Sequence, residues 1–509
     1  MDSNSKSPQK ASQTSSTTSA AYTPPVKLNE LALRMANQYR KDTFSPVMLS
    51  GIMRVAEFSL ILLAGVLSLI FYVGVSSPLL VYYLLITVCG GTFFVLLMEI
   101  NEGYQLSVLR SPLRRLQRLI ASWATVLGIF AIAGFLFKIS AEFSRGWFLL
   151  WAASVFLLLI FVRILVAFKI QRWTRNGAME RRAIIVGGGA NAETLIRALE
   201  QQPDNDIRIC GIFDDRDNDR SPPIVAGYPK LGTIDELIEF ARIAHIDMLI
   251  VSLPISAEAR VLELLNKLWV LPVDIRLSAL NTHLRFRPRA YSYIGAVPML
   301  DIFDKPINDW DSVAKRMFDI VFSLLGIIIF SPIMLVTAIA IKLESKGPVI
   351  FKQKRFGFNN EVINVWKFRS MYSDQCDPTA RLAVTKNDPR VTRVGRIIRK
   401  TSIDELPQFF NALSGTLSLV GPRPHAVAAQ VHNLRYYDVV DGYFARHRVK
   451  PGVTGWAQIN GWRGEVDNDE KIRMRTEYDL FYIENWSLWF DLKILFLTPI
   501  RLLKSENAY

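Results

Sequence analysis

Asp404 and Glu405 are adjacent carboxylates in a stretch otherwise dominated by cations. Arg396, Arg399 and Lys400 precede them, and Gly421-Pro-Arg-Pro-His425 follows. Neighbouring carboxylates repel, and ionising both is costly unless cations or a metal ion offset the charge. A carboxylate so placed can attack phosphorus and form an acyl phosphate. Arginines bind phosphate oxygens in pairs, and Mg2+ prefers carboxylate and phosphate oxygens. The plain alternative is helix capping. Ser402-x-x-Glu405 fits a capping box, and Pro407 suits the first turn of a helix that starts near Asp404. Either way the carboxylates would stand at the positive end of a helix, where anions are stabilised.

The flanking sequence favours chemistry over capping. Pro348–Phe351 and Val362–Trp366 read as the strands of a hairpin around Gly357, followed by Lys367-Phe-Arg369, a loop with Asp374 and Asp377, and Lys386-Asn-Asp-Pro-Arg390. Lys450-Pro-Gly-Val-Thr-Gly-Trp-Ala-Gln-Ile-Asn-Gly461 is a weakly charged loop punctuated by Gly452 and Gly455. Such a loop can bring backbone N–H groups and the Trp456 face against a nucleotide, or it can be turn chemistry alone. Carboxylates, several cations and a glycine-rich loop together suit phosphoryl transfer.

The elements that must position these residues lie beside a membrane. Half of the 509 residues are hydrophobic, and the net charge is +14. That balance fits a membrane protein with basic cytoplasmic faces, or one that handles phosphorylated substrates. The 3 cysteines (Cys89, Cys210 and Cys376) are scattered and suggest neither a disulfide framework nor a zinc site. Residues 1–46, rich in Ser, Thr, Gln and Pro, read as a disordered tail. Within residues 47–171 lie four apolar stretches, Ile52–Val75, Pro78–Ile100, Leu119–Phe137 and Trp147–Phe168. Each is near the ~20 residues that cross a bilayer. Glu57, Glu99 and Arg163 fall near their ends, where Arg163 can snorkel. Arg40 and Lys41, Arg114 and Arg115, and Lys169 and Arg172 flank the same side, which predicts a cytoplasmic N-terminus and a cytoplasmic C-terminal region.

Residues 180–297 read as a Rossmann-like α/β domain. Arg182–Val186 is a buried strand running into Gly187-x-Gly189-x-x-Ala192, and Ile209–Phe213 ends in Asp214-Asp215. This fits the looser dinucleotide fingerprint, with Gly187, Gly189 and Asp214 as cofactor contacts. Tight strand-to-helix packing explains the glycines equally well. A dehydratase or epimerase reading is weak, because the domain lacks a downstream Tyr-x-x-x-Lys pair. After a connector at 298–311 comes a fifth apolar stretch, Met317–Ile341, with basic residues at both ends and Ser331-Pro332 in its middle. A helix–break–helix entering and leaving on the cytoplasmic side, residues 315–343, satisfies both features.

Lys315-Arg-x-Phe-Asp319, Ser331-Pro332, Lys367-Phe-Arg-Ser-Met371, Asp404-Glu-Leu-Pro407, Gly421-Pro-Arg-Pro-His425 and Lys450-Pro-Gly-Val-Thr-Gly-Trp456 occur in one order. On these motifs residues 312–509 resemble the catalytic domain of the polyprenyl-phosphate hexose-1-phosphate transferases, the bacterial sugar transferase family. Residues 47–311 resemble the extension of its large members. The resemblance implies a membrane protein of α plus α/β class: a four-helix transmembrane bundle, a Rossmann-like cytoplasmic domain and a catalytic α/β domain with a re-entrant helix. It implies transfer of a hexose-1-phosphate, glucose-1-phosphate first and galactose-1-phosphate second, from UDP-sugar to undecaprenyl phosphate with release of UMP. Asp404 would be the nucleophile and the ligand of Mg2+, and Glu405 its partner. Arg423, Lys367 and Arg369 would meet phosphate, and Gly452, Gly455 and Trp456 the nucleotide. Ser331 and Pro332 would mark the membrane break. The implied partners are UDP-sugar, undecaprenyl phosphate and inner-membrane lipid, with no nucleic acid; a homo-oligomer is left open. The rival from another class is a membrane-tethered nucleotide sensor or scaffold working through Gly187 and Gly189.

Overall fold

A computed structural model describes residues 27–40, 46–74, 77–110, 116–138, 143–175, 179–202, 207–216, 221–254, 256–280, 292–294, 297–373, 388–425, 430–431, 434–435, 440, 442–464 and 468–504. Asp374, Asp377 and Lys386 lie outside them.

The first described element corrects the expectation of a disordered tail for residues 27–40; residues 1–26 and 41–45 of that tail lie outside the described residues. Helix α1, Glu30–Gln38, is capped by the Asn29 side chain and packs Ala32 and Ala36 into the core of the α/β domain. The Tyr39 carbonyl accepts from Arg182 Nη1 at 2.6 Å and from the His245 N–H at 2.9 Å. Small apolar residues at helical spacing are enough to dock this short helix; the polar composition around them conceals the pattern.

Helices α2 (Pro46–Ser68), α3 (Leu80–Ile100), α4 (Leu116–Leu136) and α5 (Arg145–Arg175) follow. They are apolar all round, as a lipid environment requires, and pack on one another through Ile61, Phe94, Trp123 and Trp151. Each is long and apolar enough to cross a membrane. Arg163 does not snorkel. It is buried, with Nε 2.6 Å from Glu57, and Tyr104 donates to the same carboxylate at 2.8 Å. A buried ion needs a partner, and Glu57 on α2 supplies it.

Strands β1 (Arg181–Val186), β2 (Ile207–Phe213), β3 (Ile224–Val225), β4 (Tyr228–Gly232), β5 (Met248–Val251), β6 (Asp274–Ser278), β7 (Ser292–Ile294) and β8 (Val297–Phe303) form one mixed sheet in the order β3-β4-β2-β1-β5-β6-β8-β7. The central strands are parallel, and β8 is antiparallel to β6. Helices α6 (Ala190–Glu200), α7 (Ile234–Ile243) and α8 (Glu258–Leu268) cover it. Part of the expected connector at 298–311 is therefore a strand. Pro298 is tolerated because it sits next to the start of β8, and its carbonyl accepts from the Ala279 N–H at 3.1 Å.

Helix α9, Asp309–Glu344, is the fifth element long and apolar enough to span. Its 36 residues run helically through Pro332, so the expected gap at Ser331-Pro332 is absent from the backbone. Pro332 cannot donate to the Ile328 carbonyl. Ser331 Oγ donates to it instead at 2.9 Å, which keeps the turn satisfied. Beyond α9 lie the hairpin β9 (Ile350–Phe356) and β10 (Val362–Phe368), helix α10 (Arg393–Lys400), helix α11 (Gln408–Ser414), the parallel pair β11 (Ser418–Val420) and β12 (Gly452–Thr454), and helices α12 (Asp469–Glu484) and α13 (Leu488–Lys504).

Both ends of α9 are held by this C-terminal unit. Near its start, Lys315 Nζ lies 2.6 Å from Asp491 and 3.0 Å from the Val420 carbonyl. Asp319 accepts from Ser418 Oγ and the Leu419 N–H, each at 3.0 Å. At its end, Glu344 accepts the Arg393 and Val394 N–H groups at 2.7 and 3.0 Å, capping α10.

Candidate active site

The carboxylate pair stands one turn earlier than a helix starting at Asp404 would place it. Ser402 is left-handed (φ 60°), Ile403–Glu405 form a 3-10 turn, and the α-helix begins at Gln408 behind Pro407. Ser402 caps nothing here; its Oγ accepts from Arg463 Nη2 at 2.6 Å. The capping-box reading therefore fails. The reason is local: a left-handed residue cannot hold the extended backbone of an N-cap.

The turn aims the two carboxylates into different surroundings. Glu405 takes Lys367 Nζ at 2.9 Å and Arg423 Nη2 at 2.5 Å on one oxygen, and Arg423 Nη1 at 3.3 Å on the other. Burial works to raise its pKa, but the Arg423 and Lys367 charges overcome this and hold it well below the usual carboxylate range. Asp404 accepts no side-chain or backbone hydrogen bond among the described residues. Burial and the Glu405 charge push its pKa up to about 6, against the pull of Lys367. Burial also lowers the Lys367 ammonium, although both carboxylates favour its charge. The result is one carboxylate already neutralised and one poised near neutrality.

Arg423 reaches Glu405 from a clamped loop. Pro422 and Pro424 lack N–H groups, so the loop is held by its carbonyls. The carbonyls of Pro422, Arg423, Pro424 and His425 accept, in turn, from the Gly452 N–H, Arg446 Nη2, Arg355 Nη1 and the Phe356 N–H.

Beside the pair opens a cavity of about 860 Å³. Ser402, Glu405, Arg423 and Arg463 form its polar end, and Phe322, Ile329 and Phe330 of α9 line its apolar side. Asp404 stands between Ser402 and Glu405 and is not itself a lining residue. Gly326 of α9 lies against the Phe409 ring, where any larger residue would collide. Charged and greasy walls thus meet in one chamber.

The other anticipated residues are dispersed. Arg369 is buried away from the pair; it donates to the Ser345 carbonyl at 2.9 Å and also to the Lys346 carbonyl, fastening the end of α9. Trp456 does not face the cavity. It packs near Phe490 with ring centroids 4.9 Å apart. Gly452 and Gly455 lie against the Gly421 backbone, so their lack of a Cβ serves packing. From the same segment Thr454, Gln458 and Gly461 line the cavity. Arg463 and Gln458 were missed by sequence reasoning; both sit in or just after the Lys450–Gly461 motif, which is the signal that could have found them. In the sheet domain Gly187 and Gly189 have positive φ (95° and 86°). Asp214 accepts from the Gly188 N–H at 2.6 Å and pairs with Arg216 at 2.8 Å, while Arg216 donates to the Gly188 carbonyl at 2.7 Å. The glycine turn and its acid thus bind each other.

Residues 310–505 match the bacterial sugar transferase family, and residues 99–279 match a CoA-binding domain family. A relative in Escherichia coli (strain K12), named UDP-glucose:undecaprenyl-phosphate glucose-1-phosphate transferase, is 40% identical over 345 residues, covering 66% of this chain and 71% of the relative. The chain belongs to the polyprenyl-phosphate sugar phosphotransferase family. It is a membrane-associated enzyme of that family. A relative of the same name in Xanthomonas campestris pv. campestris is 33% identical over 408 residues, 79% of this chain and 82% of the relative. The undecaprenyl-phosphate galactose phosphotransferase of Salmonella typhimurium is 30% identical over 451 residues, 85% of this chain and 89% of the relative.

Proposed function

We propose that this transferase moves glucose-1-phosphate from UDP-glucose to undecaprenyl phosphate, releasing UMP, as the first step in building an exopolysaccharide repeat. The observation that carries the reading is the split between the two carboxylates: Glu405 is committed to Lys367 and Arg423, and Asp404 has no hydrogen-bond donor among the described residues. The Asp404 carboxylate attacks the phosphorus that bears the sugar. The bond from that phosphorus to the bridging oxygen breaks, and UMP leaves with that oxygen. A phosphosugar-aspartyl ester remains. An oxygen of undecaprenyl phosphate then attacks the same phosphorus, the aspartyl bond breaks, and undecaprenyl-diphosphate-glucose forms with Asp404 restored. Lys367 and Arg423 supply positive charge beside the reacting phosphate.

The donor set suits Mg2+, which binds through one or two carboxylates plus substrate phosphates. Asp404 offers an uncommitted carboxylate and the diphosphate would complete the shell. When bound, the ion neutralises charge on the diphosphate.

The apolar wall supports a lipid acceptor, since Phe322, Ile329 and Phe330 belong to a helix apolar enough to enter a bilayer. A straight helix from Lys315 to Glu344 would span roughly 44 Å, yet the same C-terminal unit grips both residues. That supports a helix entering and leaving on one face, bending at Pro332, with the catalytic unit on the cytoplasmic side of the inner membrane. We read the first four apolar helices as a transmembrane bundle and the sheet domain as Rossmann-like. Glucose is favoured by the two relatives named for it and galactose is the second reading, carried by the longest of the three matches described above. The test is a panel of UDP-sugars assayed for UMP release with undecaprenyl phosphate. UDP-glucose should be turned over fastest; no UMP from any of them would refute the reaction, and a faster UDP-galactose would reassign the sugar.

A further inference from the structure

Arg423 acts from a loop whose four successive carbonyls are held, two by backbone N–H groups and two by arginine side chains. Two come from backbone N–H groups of β12 and β9, and Arg355 is itself part of β9. Of the four, the hold on the Arg423 carbonyl comes from outside these strands: it is the Arg446 side chain, with Nη2 at 3.0 Å. Arg446 is 1% exposed. Its Nε and Nη2 lie 2.8 and 2.5 Å from Asp479 of α12, and its Nη1 lies 2.8 Å from His425 Nδ1. Burial and the surrounding arginines keep His425 far below the usual histidine range, so its neutral ring can accept that bond. A fully buried guanidinium is expensive to desolvate, and a hydrophobic residue would fill the space at lower cost. The arrangement is explained by what the fork does: it ties α12, His425 and the Arg423 backbone to one rigid planar group.

The turn that carries Arg446, Tyr443–Arg448, is also where the sheet domain leans on the catalytic unit. Asn359, beside that turn, donates to the Ala241 carbonyl of α7 at 3.2 Å. Arg448 donates to the Asp304 carbonyl at 2.8 Å, and Gly442 packs directly under the Trp269 ring. The backbone of this turn is therefore braced from both sides.

We propose that Arg446 is a positioning residue for the transfer: its guanidinium fixes the Arg423 backbone so that the Arg423 side chain stays forked on Glu405. Arg446 touches neither carboxylate of the pair. It acts through Arg423, and the proposal rests on the reading that Arg423 serves the transfer. Lysine in its place would keep one charge for Asp479 but could not also reach His425 and the Arg423 carbonyl.

The test is a double-mutant cycle in the full-length protein. Arg446→Lys should lower kcat for UMP release by about 10- to 100-fold. The KM for the UDP-sugar should stay within about threefold, because what is lost is alignment rather than ground-state contact. In an Arg423→Ala background the same substitution should change kcat by less than about threefold, since the group it positions is gone. Equal fold-losses in both backgrounds would overturn the proposal and assign Arg446 to stability alone. If Arg446→Lys does not fold, Asp479→Asn takes its place, loosening the same fork with the shape preserved. If the wild-type protein releases no UMP from any UDP-sugar, the reaction reading fails by itself. The cycle is then read as UDP affinity by calorimetry, where additive losses again overturn the positioning role and non-additive ones sustain it.

Discussion

The Arg423 guanidinium meets Glu405 as a fork, Nη2 at 2.5 Å from Oε1 and Nη1 at 3.3 Å from Oε2. This contact divides labour within the carboxylate pair. Glu405 is saturated by cations and stays ionised, which leaves Asp404 as the group whose charge is available to an incoming phosphorus.

Replacing Asp404 by Asn should abolish UMP release, by about a thousandfold or more, because an amide cannot form the acyl phosphate. Incubation of the wild type with UDP-glucose should add one hexose phosphate to the peptide bearing residues 402–408, seen by mass spectrometry. The Asn variant should show no adduct.

The pH profile should carry one acidic limb. The nucleophile works ionised, and burial raises Asp404 to about 6. Activity should fall as pH drops through about 6 and level off above it. Glu405, held well below the usual range, should add no second limb near neutrality. The measurement is kcat/KM against pH in the full-length protein.

Arg423→Lys keeps the charge and loses the fork. It should cost about 10- to 100-fold in kcat, and Arg423→Ala more, since a point charge does not replace bidentate pairing. Equal activity in the Lys variant would show that charge alone is required.

Gly455→Ala should destabilise without touching the chemistry. Its φ is extended at −164°, so strain is not the cause. The added methyl would collide with the Gly421 carbonyl oxygen on the neighbouring strand path. The expected loss is about 1–3 kcal/mol, read by thermal or denaturant unfolding.

Arg163→Ala would strand Glu57 among apolar helices. The two side chains are 5% and 0% exposed. Breaking a buried pair costs about 3–5 kcal/mol, so the detergent-solubilised protein should melt earlier. Arg163→Ala with Glu57→Gln should recover part of the loss, since no ion is then left unpaired.

Much of this protein is written in local pattern. Apolar runs of bilayer length gave α2 to α5 and α9. The strand starting near Arg182 and the hairpin around Gly357 were legible because period and turn residues act over a few neighbours. The Asp404-Glu405 pair stood out by charge alone. Other features depend on partners far away in sequence. The left-handed Ser402 and the 3-10 turn separate two adjacent carboxylates, and Arg163 turned inward because Glu57 waits 106 residues earlier. Arg369 and Trp456 looked suited to ligand contact, yet packing drew one to the end of α9 and the other into an apolar cluster. Arg463 and Arg446 carried no motif of their own that distinguished them, and only the folded chain brings them to Ser402 and Arg423. Residue types and spacing determined which chemistry was available. Tertiary structure decided which carboxylate is left free, because desolvation and ion pairing depend on neighbours that approach only when the chain has folded.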